Sequence, residues 1–187
     1  MIELVFFLEE PSARELLNGL LPRCLPATTT YRLVVFEGKQ DLEKRLGMRL
    51  RAWQNAQARF VVLRDKDSGN CVQIKSRLVG ICQQSGQPDA LVRIACHELE
   101  SWYLGDLRAV EVGLEVSGLA GRQGSAKFRT PDHLANPVQE LKRLAPTYQK
   151  VAGSRAIGRH LSLEENRSHS FNVFLSGIQR IVETHAS

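Results

Sequence analysis

Three stretches decide the reading of this chain: Leu4–Glu10 (LVFFLEE), Phe60–Asp67 (FVVLRDKD) and Leu91–Glu100 (LVRIACHELE). Each starts as an apolar run and finishes on acid: Glu9 and Glu10, Asp65 and Asp67, Glu98 and Glu100. A short, continuously apolar run is the pattern of a strand buried on both faces, as in a parallel sheet. Each acidic cluster is followed by helical patterning. In an open α/β sheet, ligands bind outside the carboxyl ends of the strands. If the three strands are neighbours, the carboxylates converge on one edge and repel one another unless a cation neutralises them. Divalent cations such as Mg²⁺ take oxygen ligands, so the pattern points to metal-assisted chemistry on a phosphate ester.

Working outward, the pattern extends to a β-α-β-α-β-α-β-α order. The strands are 2–8, 31–36, 60–63 and 90–95. The helices between them are 12–21, 41–53 and 72–83, with another expected over HELESWYL (97–104). Such an order implies a mainly parallel sheet with helices on both faces. In the first helix Ser12 and Glu15 form an S-x-x-E capping box and Pro22 is the stop. Glycines at 113, 118, 121 and 124 suggest a loop-rich, flexible stretch over 113–132. A short helix at 137–144 and a longer one at 166–185 follow, the latter with Phe171, Phe174, Leu175, Ile178, Ile181 and Val182 on one stripe. We therefore expect an α/β core over 1–112 and a basic, mostly helical C-terminal region over 113–187 packed on it.

Composition narrows the function. The 187 residues, 43% hydrophobic and 24% charged, suit a globular chain with a sizeable core. No apolar run approaches the roughly 18 residues needed to span a bilayer. The start, MIELVFFLEEP, lacks a basic leader and reads as a strand rather than a signal peptide. The four cysteines show no CxxC spacing, so reduced thiols in a cytoplasmic protein are expected. The net charge of +5 arises wholly after residue 117. Within 122–159, Arg122, Lys127, Arg129, Lys142, Arg143, Lys150, Arg155 and Arg159 face only Asp132 and Glu140. A basic region beside an acidic edge suits a polyanionic substrate; the plainer alternative is a solvated helix face. No P-loop, G-x-S-x-G or Rossmann glycine fingerprint is present, which disfavours ATP hydrolysis through a P-loop, serine hydrolysis and hydride transfer.

The candidate site follows from these clusters. Asp65 and Asp67 form D-x-D at a strand end, and on extended backbone alternate side chains share a face, so both can hold metal. Glu9, first after its apolar run, is chosen over Glu10 as a further ligand or general base. Residues two apart on a helix face differently, so one of Glu98 and Glu100 reaches the site, and Glu100 is the choice. His97 is either a proton shuttle or a packed histidine. Trp102 is read as core in preference to a base-stacking residue. Lys150, Arg155 and Arg159 are the candidates for holding a nucleic-acid backbone.

An acidic residue after the first strand and D-x-D after a later one resemble the TOPRIM domain of topoisomerases, bacterial primases and OLD-type nucleases. The match spans about residues 1–105. The resemblance implies Mg²⁺ or Mn²⁺ held by Glu9, Asp65 and Asp67, and phosphodiester chemistry on DNA or RNA. Such domains commonly carry Gly after the first Glu; here Glu10 either crowds the site or adds a ligand. A second resemblance covers nearly the whole chain. FLEEPSARELL, VLRDKDSGNC, HELESWYLGD and PTYQKVAGSRAIGRHL are similar to the bacterial domain-of-unknown-function family numbered 4276, with Glu98, Glu100, Trp102 and Asp106 on its E-x-E-x-W-x-x-x-D signature. That family is TOPRIM-like, and its members often accompany AAA-type ATPases in settings of defence against foreign DNA, so the resemblance implies such a partner. Two other functions remain open: a non-catalytic subunit docking an ATPase, and a small-molecule phosphatase using Asp65 as nucleophile.

Overall fold

The computed structural model describes residues 2–185. Four parallel strands, β1 (Ile2–Leu8), β2 (Thr29–Val35), β3 (Ala58–Asp65) and β4 (Leu91–Ala95), form one sheet in the order β2-β1-β3-β4. Every residue of β1 is buried, as expected for a strand flanked on both sides and covered on both faces. The crossover helices are α1 (Pro11–Cys24), α2 (Lys39–Arg51) and α3 (Cys71–Gln84). Side-chain parity assigns the faces. Leu4, Phe6, Leu8, Val61 and Leu63 join the core beneath α1, whereas Val5, Phe7, Phe60 and Val62 join the core beneath α2 and α3. The expected α/β sheet with helices on both faces is therefore present.

After β4 the chain forms α4 (Glu100–Leu104), α5 (Leu107–Gly113), α6 (Pro137–Leu144), α7 (Lys150–Gly158) and α8 (His169–Thr184). These elements complete the core on the α1 face. Phe171 and Phe174 pack on Trp102 with ring centroids 5.3 and 5.0 Å from the indole, and the indole N–H donates to Ser170 Oγ at 2.9 Å. Trp102 is thus a core residue.

Several local readings are corrected. α1 begins at Pro11, and its N-cap is Glu10, whose side chain makes no capping bond. Ser12 Oγ donates to Glu10 Oε1 instead, and Glu15 accepts from Arg155 at 2.6 Å; the tertiary ion pair takes the carboxylate from the capping box. Pro22 lies inside α1, which ends two residues later. Helix α4 starts at Glu100, and α8 starts at His169 behind Ser168, whose Oγ caps it. The stretch 113–132 is loop-rich, as expected, but it is held by specific contacts. It contains 3-10 turns at Ala120–Arg122, Ala126–Phe128 and Pro131–His133. Gln123 ties it to Leu107 N, Leu104 O and Phe128 O, and Asp132 accepts from Ser168 Oγ and Ser170 N.

Helices α5 and α7 were not anticipated. α7 holds two glycines and no clear apolar stripe, and those glycines explain its position. A Cβ on Gly158 would lie 2.7 Å from Leu16 O, and one on Gly19 would lie 2.7 Å from Arg159 N. α1 and α7 therefore touch backbone to backbone, which delivers Lys150, the first residue of α7, to the carboxyl ends of the strands.

Candidate active site

The chain leaves β1 toward β2 on one side and returns to β3 on the other, so the topological switch lies between β1 and β3. Crevices open at such points, and here the two strand ends carry Glu9 and Asp65. They are joined directly: Asp65 N–H donates to Glu9 Oε2 at 3.1 Å. The β3–β4 ladder runs on past the strands, with Lys66 N–H donating to Ala95 O at 2.9 Å and Asp67 N–H to His97 O at 2.7 Å. Asp67 (φ 51°) and His97 (φ 60°) both adopt left-handed backbone conformations. For non-glycine residues such strain costs about 1–3 kcal/mol each and gathers at functional sites. A hollow of about 360 Å³ lined by Asp67, Ser68, His97, Glu98, Ala135 and Asn136 adjoins this turn. Burial, then the Lys66 ammonium, holds the His97 imidazole below its ordinary pKa.

The acids divide by sheet face. Asp65 continues the parity of Val61 and Leu63, toward α1. Its charge neighbours are Glu10, Glu100 and Glu9, with Lys150 as the opposing cation. Glu9 lies on the α2 side, where Arg64 Nε stands 3.8 Å from Glu9 Oε2. Arg64 is buried, pairs with Glu43, and its Nε has no hydrogen-bond partner among the described residues. Asp67 pairs with Lys39 at 2.9 Å. The shared face expected for Asp65 and Asp67 is not present, because the extended run stops at Asp65 and the left-handed turn directs Asp67 toward α2.

Burial makes these carboxylates costly. Asp65 is 6% exposed and Glu100 0%. Burial, reinforced by Glu10, Glu100 and Glu9, raises the Asp65 pKa well above the ordinary range. Burial also raises Glu100, against the opposing pull of Lys150 and the Tyr148 hydroxyl. Tyr148 Oη donates to Glu100 Oε1 at 2.7 Å, whereas Oε2 has no partner among the described residues. Burial raises Glu9 too, opposed first by the Asp65 N–H. At the other end of the sheet Glu3, 9% exposed, accepts from Arg32 at 2.6 Å, Asn55 at 2.8 Å and Trp53 at 3.3 Å. Glu3 is met by three donors, whereas at the carboxyl edge Asp65 stands among acids and Glu100 Oε2 has no partner among the described residues. A hollow of about 660 Å³ near Trp53 and Arg59 is larger than the one beside Asp67, but it lies at the Glu3 end.

Oxygen-only donors that are buried and short of positive charge fit a hard divalent cation. They do not yet enclose one: among the described residues no three acid, histidine or cysteine side chains lie close enough to hold a metal ion. Side-chain rotation would have to close Asp65, Glu9 and Asp67 or Glu100 around it.

Of the three basic candidates, Lys150 binds both oxygens of Glu10 at 2.8 and 2.9 Å, and Arg155 binds Glu15 at 2.6 Å. Arg159 is exposed, with no ion pair among the described residues. Sequence reasoning missed Tyr148 and Arg64 altogether and passed over Glu10. Parity could have found Glu10, since it follows Leu4, Phe6 and Leu8 onto the face of Asp65. Asp106 plays a local part, accepting from Ala109 N and Ser162 N.

No curated protein matches the chain. Among solved structures it resembles the C-terminal region of the Burkholderia pseudomallei OLD protein, with TM-score 0.58 and 16% identity over 96% of this chain and 98% of that one. It also resembles the C-terminal region of the Xanthomonas campestris pv. campestris OLD protein, with TM-score 0.52 and 13% identity over 98% and 97%. At these identities the likeness establishes the fold, which is TOPRIM-like. No helix among the described residues is long and apolar enough to cross a membrane. The family model described as "Domain of unknown function (DUF4276)" matches residues 8–179, and the chain belongs to that family.

Proposed function

We propose that the chain is a Mg²⁺- or Mn²⁺-dependent phosphodiesterase of TOPRIM type that cleaves DNA or RNA. The observation behind this reading is the contrast between Glu3, which accepts from three donors, and the buried pair of Asp65, set among acids, and Glu100, whose Oε2 has no partner among the described residues. Burying an ionised carboxylate without a partner costs several kcal/mol, a cost that a bound cation removes. Asp65, Glu9 and Asp67 would hold the metal, with Glu100 completing the acidic rim. When bound, the metal supplies an activated water and offsets the charge of the phosphate. Glu9 would serve either as a further ligand or as a general base, a role that suits a carboxylate whose proton affinity is raised by burial. Arg64 and Lys39 keep Glu9 and Asp67 oriented. The C-terminal part, 113–187, turns its exposed basic side chains, Arg159 among them, to the nucleic-acid backbone. In this reading the protein works in the cytoplasm with an AAA-type ATPase in defence against foreign DNA.

A second reading, a non-catalytic subunit that docks an ATPase, is favoured by one observation: Lys150 already supplies a cation to the cluster through Glu10. Incubation of single- and double-stranded DNA and RNA with Mn²⁺ or Mg²⁺ separates the two. Cleavage by wild type that is lost in Asp65→Ala, with ATPase complexes retained, supports the enzyme. Absence of cleavage together with loss of the complex in Asp65→Ala supports the docking subunit.

A further inference from the structure

We propose that Lys150 is the resident counter-ion of the carboxylate cluster, tethered there by Glu10, and that a divalent metal must compete with it. This inference rests on the metal-site reading above and assigns the regulation of that site. Lys150 Nζ lies 2.8 Å from Glu10 Oε1 and 2.9 Å from Oε2, and its charge also acts on Asp65 and Glu100. It is the cation common to all three acids.

The position is set by the fold, not by α7 itself. Lys150 opens α7, and a cation at a helix N-terminus opposes the helix dipole. The backbone of α7 is pinned against α1 by the glycine contacts at Gly19 and Gly158 and by the Arg155–Glu15 pair. Lys150 therefore stays at the strand ends, and only its side chain can leave. That side chain is 40% exposed, so a route to solvent exists along its flexible stem. Glu10 is itself held, since Ser12 Oγ donates to its Oε1. With Lys150 in place the cluster is partly neutralised. A divalent ion entering beside it meets like charge in a partly buried site, where charge interactions are several-fold stronger than in water. Metal loading thus requires the ammonium to swing out, and Glu10 sets how readily it does so.

The test is Mn²⁺ binding measured by isothermal titration calorimetry, which needs no substrate. Lys150→Gln should bind Mn²⁺ roughly tenfold more tightly than wild type, because the competing charge is gone. Its melting temperature in chelator should fall, and Mn²⁺ should restore it by more than it raises that of wild type. Equal or weaker binding by Lys150→Gln overturns the proposal alone. If that variant does not fold, Glu10→Gln with Lys150→Gln carries the test, because it leaves the net charge unchanged. Binding at least as tight as wild type supports the proposal, and a tenfold loss overturns it by making Glu10 a ligand. No Mn²⁺ binding by any of the three proteins overturns the metal-site reading and this proposal together.

Discussion

Replacing Asp65 by Asn should stabilise the metal-free protein, against the usual direction for a change at a buried position. Asp65 is 6% exposed, its first three charge neighbours are acids, and no described residue donates to its carboxylate. A buried, poorly compensated ion costs several kcal/mol. Asparagine removes that charge but buries an amide, which costs about 1–3 kcal/mol where its hydrogen bonds are unmet. Its nearest charge neighbours, Glu10 and Glu100, are acceptors, so the lower end of that cost is taken. A net gain of about 2 kcal/mol follows, or roughly 4–8 °C in Tm for a chain of this size. The sign of the pH dependence is set by the raised proton affinity of folded Asp65. Between its unfolded pKa of about 3.9 and its higher folded value, the native state binds more protons than the unfolded state, so wild-type stability falls as pH rises. The advantage of Asn should therefore vanish near pH 4 and grow toward neutrality. Thermal melts in chelator from pH 4 to 8 provide the assay, and Glu3→Gln is the control. Glu3 has similarly little solvent exposure but lies less deep and accepts from three donors, so its amide should lower stability by about 1–3 kcal/mol. A lower Tm for Asp65→Asn at pH 7 in chelator would refute the claim that this carboxylate is held at a cost.

Tyr148→Phe removes the side-chain donor to Glu100 among the described residues and should cost about 1–3 kcal/mol, read by urea unfolding at neutral pH. Gly158→Ala places a methyl 2.7 Å from a backbone oxygen of α1; a loss of about 1–3 kcal/mol is expected, and Mn²⁺ affinity should change with it because α7 positions Lys150. Arg159→Ala should weaken nucleic-acid binding with little sequence preference and reduce the salt slope by about 1, as measured by fluorescence anisotropy across a salt series. Arg155→Ala should affect stability instead, lowering Tm only slightly, since its guanidinium is paired with Glu15 and largely exposed.

The sheet was legible because its signal is local. Four apolar runs separated by helical spacing allow few arrangements, and short parallel crossovers leave the acids after β1, β3 and β4 at one edge. Glu9, Asp65 and Glu100 could be placed there from their positions alone. What depended on distant chain segments could not be read. Glu15 reads as a capping residue until Arg155, 140 positions away, takes its carboxylate. Asp67 reads as a partner of Asp65 until the β3–β4 ladder carries past the strand and bends it into a left-handed turn toward Lys39. Lys150 reads as a surface base, and only the glycine contact between α1 and α7 turns it inward to Glu10. Sequence periodicity determined which residues reach the edge, because strand parity and burial are properties of short segments. Tertiary packing decided which charges meet there, because ion pairing depends on distances that close only when the helices after β4 fold back over α1.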